Sequence, residues 1–348
     1  MRAVFELTIN TPLSVGWYDP GVLDPRFYIR PTSVKGLWRW WARAVAAGVL
    51  YEAGCVRDLA KETSRAVAED MGLGSTKAAS AYRIRVEVLR PPRVEVVRRR
   101  RKSGIQRLDL IALSHDVEYA VGGMFRLTVE GNHRAFAPAV AALALALTLS
   151  GLGKGGRKSL GVVDVLDTRG DAPRGGVREL LEAAREGVRV GKCGAAQQGL
   201  PPIPAAARGF FEVYKVAAGF PDVHNIFLRS RRAELAAGSF AAPDPMDRNA
   251  WFFGLPRSQR GTGTGYMDPR GEGLRRPSAV FAAAHSPRHK YGGGTYISLF
   301  LSADWPPKLK WVGESGVESI VVDERRVREA RDLFLRLIQR WSPQRVWP

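Results

Sequence analysis

Cysteine is nearly absent from this 348-residue chain. Its two cysteines, Cys55 and Cys193, lie far apart with no CxxC spacing, which argues against a disulfide framework and a cysteine-built zinc site and fits a reducing, intracellular compartment. Histidine is sparse too, with five residues, so metal ligands and general bases are few. Acidic residues, 34 against 53 Lys and Arg, leave the basic groups in large excess. Long apolar runs are also missing. The longest uncharged stretch, 135–153, is Ala-rich, contains Pro138 and ends in a glycine cluster, closer to a buried helix than to a bilayer span. The chain start carries Glu6 inside an alternating pattern, so no signal peptide, no membrane association and a cytoplasmic location are expected. Few Asn and Gln beside many charges resemble a thermophile composition.

What is present is ample for real cores: 45% hydrophobic residues over a length that suits two ordinary domains. A net charge of +19 makes a polyanion the first partner to consider, with nucleic acid the default. Arg outnumbers Lys by 42 to 11, which suits bidentate phosphate contacts and stacking on bases, although a codon bias gives the same count.

The organising stretch is 31–45, PTSVKGLWRWWARAV. Pro31 turns its predecessor away from helix, Thr32 or Ser33 is expected to cap, and apolar residues then recur at helical spacing. Val34, Leu37, Trp38, Trp41 and Val45 share one face. Lys35, Arg39 and Arg43 form a second, wholly positive stripe, whose mutual repulsion an anionic partner relieves. A solvated basic face without a partner is the plainer reading.

Around this helix the chain reads in order. Ala3, Phe5, Leu7 and Ile9 alternate with polar residues as a half-buried strand. A polar helical patch at 58–71 resembles an excursion from the main fold. Residues 82–91 alternate as a strand with a basic outer face. Between positions 83 and 107 stand ten basic residues and two acidic ones, including Arg98, Arg99, Arg100, Arg101 and Lys102, a mobile tip better explained by phosphates than by solvent. A strand bent at Gly122 and Gly123, a helix at 135–149 and a strand at 162–167 complete the order strand, helix, strand, strand, helix, strand, the split βαβ arrangement of RNA-recognition modules.

The glycine cluster at 150–161 contains GKGGRKS, but it follows a helix and precedes a strand with the wrong spacing for a Walker A loop. It reads instead as flexible backbone with exposed amides at Gly153, Gly155 and Gly156, flanked by Lys154, Arg157 and Lys158, suited to a nucleic-acid backbone. A helix C-cap and turn with incidental charges is the alternative.

Residues 171–205, rich in Gly, Pro and Ala with one helical piece at 177–186, read as a linker between domains at 1–170 and 206–348. The second unit opens with a strand at 210–216 and a helix from 221. An apolar strand at 249–257 is expected to deliver Arg257 and Arg260 into a glycine loop. Strands at 278–285 and 295–302 and a helix at 323–341 follow. The whole is therefore expected to be α+β, two ferredoxin-like (RRM-like) βαββαβ domains packed together, with insertions.

The N-terminal strand, the SVKGLWRWWARA helix and the glycine-rich stretch before a strand resemble the RAMP proteins of CRISPR systems. The Trp pair, FGLPR at 253–257 and RRPS at 275–278 look most like the first RAMP subunit of the type III-B, or Cmr, effector complex. That resemblance implies two ferredoxin-like domains, an antiviral-defence ribonucleoprotein, other RAMP subunits as partners, and single-stranded guide or target RNA held by the helix face with Ser33, Lys35, Arg39 and Arg43 and by the glycine loop. Arg275 and Arg276 in RRPS, with Arg257 and Arg260, join the expected RNA contacts. The insertions at 92–114 and 170–204 match no motif.

Metal-independent RNA cleavage, the enzymatic alternative, needs a general acid and base. Of His115, His133, His224, His285 and His289, none lies in the first helix or glycine loop. His285 and His289, four apart near Lys290 and Tyr291, are the best candidates. A zinc site there lacks two further ligands, and Asp164, Asp167, Asp19 and Asp24 need no Mg²⁺ role. No catalytic residue, metal or cofactor is expected. Trp17 and Tyr18 are candidate stacking platforms. A scaffold whose basic face meets acidic proteins is the remaining class.

Overall fold

The computed structural model describes residues 1–16, 19, 21–24, 26–194, 199–226, 250–255, 265–267, 275–313 and 316–348. The expected contacts Arg257 and Arg260, the glycine loop beyond them, and Trp17 and Tyr18 lie outside these residues.

In the first unit, β1 (Arg2–Leu13) is central in a sheet with β2 (Tyr82–Arg90), β4 (Val117–Gly131) and β5 (Val163–Gly170), in the antiparallel order β2-β4-β1-β5. Strand β3 (Arg93–Val97) continues along β4 past the break at Pro91 and Pro92. Opposite that break Gly122 and Gly123 adopt φ of 70° and 75°. The register against β1 jumps there from Leu7–Phe125 to Ile9–Gly122, the bend expected of this glycine pair. Helices α1 (Pro31–Glu52) and α4 (Phe136–Leu149) cover one face. The excursion at 58–71 is α2 (Leu59–Arg65) followed by a π-helical turn, and α3 (Gln106–Ile111) sits in the insertion after β3.

Neither Thr32 nor Ser33 caps α1. The N-cap is Arg30 in extended conformation, with Pro31 in the first turn, where its fixed φ fits and its missing N–H costs nothing.

The segment read as a linker contains α5 (Val177–Arg185), whose Val177, Leu180, Leu181 and Ala184 lie in the first core. It also carries Cys193, which is disulfide-bonded to Cys55, so the two cysteines do pair: the fold brings positions 138 apart in sequence to a Cα separation of 4.8 Å.

The second unit repeats the connectivity: β6 (Phe211–Val216), α6 (Phe220–Asn225), β8 (Val280–His285), β9 (Gly294–Phe300), α7 (Glu324–Ile338) and β12 (Gln344–Trp347), in the sheet order β12-β6-β9-β8. A small sheet of β7 (Gly265–Met267), β10 (Lys308–Gly313) and β11 (Gly316–Val321) is added. The strand expected at 249–257 is a 3₁₀ turn at Ala250–Phe253, whose four side chains are all buried; burial on every side removes the alternation a half-buried strand needs.

Alternation along the second sheet explains how the units join. Phe211, Val213, Phe281, Tyr296 and Phe300 enter the core built on α1 and α4, while Tyr214, Val280, Ala282, Ile297 and Leu299 enter a second core with α6 and α7. The second sheet is thus buried on both faces, and the architecture is mixed α+β with antiparallel sheets, as the sequence predicts.

Candidate nucleic-acid interface

Two parts of α1 do different work. Trp38 donates to the Ala139 carbonyl and Trp41 to the Ser150 hydroxyl, so both indoles are buried and satisfied. Trp40, one position off that face, packs on Phe281 and Phe300 of the second unit, and Trp41 on Phe211. The Trp pair is an inter-unit joint.

The positive stripe stays accessible. Lys35 and Arg39 are partly exposed and have no hydrogen-bond or ion-pair partner among the described residues; Arg43 is exposed and donates to the Ser64 hydroxyl at 3.1 Å. No acidic residue occupies the first turn, and a Cβ placed on Gly36 meets nothing within 4 Å. Ser33 is partly exposed, its amide bonded to the Arg30 carbonyl.

The glycine-rich loop is held in shape by its own backbone: Gly151 donates to Gly156, Leu152 to Gly161, Lys154 to Ser14, Lys158 to Gly155 and Gly161 to Pro12, donors that do not include the Gly153, Gly155 and Gly156 amides. The glycines permit this close approach, since a Cβ on Gly151 falls 1.9 Å from the Leu160 oxygen and one on Gly156 lies 2.2 Å from the Gly151 oxygen. The loop then lies along the edge of β8. The Ala282 amide donates to the Arg157 carbonyl and the Ala284 amide to the Ser159 hydroxyl.

Arg157 is correspondingly not a free cation. Its guanidinium lies over the Trp40 and Phe281 rings and donates to the Ser278 carbonyl; burial, reinforced by nearby Arg276, pulls its pKa down to about 10, still charged at neutral pH. Burial also lowers the pKa of Lys154. Arg276, expected at the surface, is buried, pairs with Asp304 at 2.5 Å, donates to the Pro277 carbonyl and stacks on Trp305. Its neighbour Arg275 is exposed. A guanidinium can be enclosed where a carboxylate and a ring replace its water, and sequence gives no sign of that enclosure.

Cavities of about 200 and 230 Å³ flank this junction and share Trp40 and Pro204. Arg157, Arg276 and Ser278 line the first, and Arg43, Thr63 and Ser64 the second. The helix motif, the glycine loop and the RRPS stretch, remote in sequence, meet here.

Arg98, Arg99, Arg100 and Arg101 are exposed on the turn after β3, but Arg98 pairs with Asp116 at 2.8 Å and the Arg99 amide donates to the same carboxylate. The open face of the first sheet is largely self-neutralised: Arg2 pairs with Glu130, Arg85 with Glu87, Arg126 with Glu6 and Glu87, and Arg169 with Glu6 and Asp167.

His285 and His289 are buried with their rings stacked at 3.8 Å. The two nitrogens of His285 face Asp164 Oδ1 and the Thr148 carbonyl, both at 2.8 Å. His289 Nδ1 accepts from the Val165 amide, and burial with the adjacent His285 pushes its pKa down to about 2. The ligand atoms of Asp164, His285 and His289 lie within 4.8 Å of one another, yet each is engaged in this network, which joins α4, β5 and the end of β8. His224, given no role by the sequence, ties the units differently. Its Nδ1 donates to the Lys158 carbonyl while Nε2 accepts from the Arg107 amide; burial lowers its pKa to about 4.

No helix among the described residues is long and apolar enough to cross a membrane. No curated protein matches the sequence. The apo crystal structure of Cmr1 from Pyrococcus furiosus aligns over 100% of this chain and 99% of its own, with a TM-score of 0.56 and 18% identity. A chain in the cryo-EM structure of the Type III-B Cmr-beta bound to cognate target RNA aligns over 97% of this chain and 99% of its own at 0.54 and 12%. The same complex with AMPPnP and ssDNA, in state 2, gives 97%, 99%, 0.53 and 14%. At such identities the likeness is one of fold. The family model described as the RAMP superfamily matches residues 6–164, from β1 into β5, so the N-terminal unit is similar to that superfamily.

Proposed function

We propose that the chain is a non-catalytic RNA-binding subunit of a type III-B CRISPR effector ribonucleoprotein, holding single-stranded guide or target RNA against α1. The observation that carries this reading is the state of Lys35 and Arg39: two cations on one helix face, without partners among the described residues, whereas Arg2, Arg85, Arg126 and Arg169 of the first sheet are paired with carboxylates. Phosphates supply what that face lacks. The fold shared with chains of RNA-bound Cmr complexes supports the same assignment. Burial of His285 and His289 favours binding over cleavage, because neither ring reaches a 2′-hydroxyl without opening the junction between the units.

The test is a labelled single-stranded RNA of roughly 40 nucleotides, incubated with the protein across a salt series with and without Mg²⁺. Binding that falls steeply with salt and leaves the RNA intact supports the proposal. Discrete products lost in His285→Ala make the protein a nuclease. Absence of both binding and cleavage leaves the scaffold reading.

A further inference from the structure

The described parts of the segment that follows α5, 186–194 and 199–207, are fastened along α1. Cys193 is bonded to Cys55, just past the end of the helix. The Tyr51 hydroxyl donates to the Gly199 carbonyl at 2.5 Å, and the Ala206 amide donates to the Ala44 carbonyl at 2.7 Å. Gly48 lets the segment lie flush, since a Cβ there falls 2.4 Å from the Ala206 carbonyl carbon. The segment's Ile203 and Pro204 then form a wall beside Trp40, Pro204 facing both cavities.

We propose that Cys55–Cys193 is a redox latch, a thiol–disulfide exchange site whose reduction frees this segment from α1 and opens the cavities beside Trp40. The link from latch to RNA rests on the RNA-binding reading above. A Cα separation of 4.8 Å suits a disulfide, and the bond is a covalent anchor of the segment near its α5 end. Cys193 is partly exposed between exposed Lys192 and Gly194, whereas Cys55 is 8% exposed. The accessible sulfur is therefore that of Cys193. A dithiol reductant attacks it as thiolate, displacing Cys55 as thiolate; its second thiol resolves the mixed disulfide. Both cysteines end as thiols and the reductant as its own disulfide. With the bond gone, hydrogen bonds and contacts across Gly48 hold the strap, a local-opening equilibrium rather than a fixed wall.

The test uses the full chain, air-oxidised or reduced with dithiothreitol, and limited trypsin at exposed Arg189 and Lys192. Cleavage there is expected to speed about tenfold on reduction, and Cys193→Ser and Cys55→Ser to cut at the reduced rate under both conditions. Equal rates in oxidised and reduced wild type, or two thiols labelled by maleimide in the oxidised protein, overturn the latch. Thermal melts of both variants confirm folding. Single-stranded RNA affinity that shifts with redox state in wild type but not in Cys193→Ser supports the coupling; equal affinity overturns it. RNA binding in neither state overturns the RNA reading and leaves the latch to the trypsin result.

Discussion

The guanidinium carbon of Arg157 sits 4.8 Å from the centre of the Trp40 ring, so a residue of the glycine-rich loop is held by the motif helix and, through Phe281 on its other contact, by the second unit. The loop's most conspicuous cation is a fastener between units. Its charge is solvated by two rings and a carbonyl instead of water.

Arg157→Ala is therefore expected to act first on stability. Removing two cation–π contacts costs on the order of 1–3 kcal/mol. Arg157→Lys recovers part of that, because an ammonium lacks the planar face that stacks. Urea unfolding of the three proteins checks this; an unchanged midpoint in Arg157→Ala, with RNA affinity lost, would make it a direct RNA contact instead.

Lys35→Ala and Arg39→Ala should show the reverse pattern. Neither side chain has a partner among the described residues, so melting temperature is expected to hold. The double variant should lower RNA affinity about tenfold or more at low salt and reduce the slope of log K against log salt by about 1.4, two phosphates at about 0.7 each. A slope equal to wild type would place the RNA elsewhere.

Much of this division was legible in the sequence, and part of it was not, for identifiable reasons. Periodicity predicts β1, α1 and α4 because each has one environment along its length. The pair Gly122 and Gly123 announces the bend in β4, since both take positive φ. Whether a cation meets solvent or another unit is invisible to periodicity, so Arg157, Arg276 and Lys35 look alike as letters. Composition likewise reads 171–205 as linker, although α5 inserts Leu180 and Leu181 into the core. Cys55 and Cys193 meet through the path of the chain, which no local spacing encodes.

Acid should destabilise the protein progressively below about pH 6.5. His224 titrates at about 4 and His289 at about 2 in the fold, against 6.5 for an unconstrained imidazole, because burial disfavours their charged forms. The unfolded chain thus binds more protons below pH 6.5, and stability falls as pH drops through that window. For His224 the loss reaches about 3 kcal/mol by pH 4, at 1.36 kcal/mol per unit. Protonation also removes the Nε2 lone pair that accepts from the Arg107 amide, loosening the insertion from the glycine loop. Urea midpoints from pH 7.5 to 4 test this, and His224→Gln should flatten the curve. A flat wild-type profile would contradict the buried, neutral state of this ring.

Two glycines separate backbone demand from surface access. Gly161 has φ of 65°, and a Cβ there meets the Leu152 carbonyl oxygen at 2.0 Å, which is backbone and unable to yield. Gly161→Ala is expected to lose about 2–4 kcal/mol through strain and a broken loop. Gly36 is the opposite case, exposed in α1 with open space where its Cβ belongs. Gly36→Ala should stabilise the protein by up to about 1 kcal/mol, the helix-propensity difference. The same methyl stands between Lys35 and Leu37, beside the stripe assigned to phosphate. If RNA lies close against α1, Gly36→Ala raises the melting temperature while weakening RNA binding; if affinity is unchanged, the RNA contacts the tips of Lys35 and Arg39 and stays clear of the helix backbone.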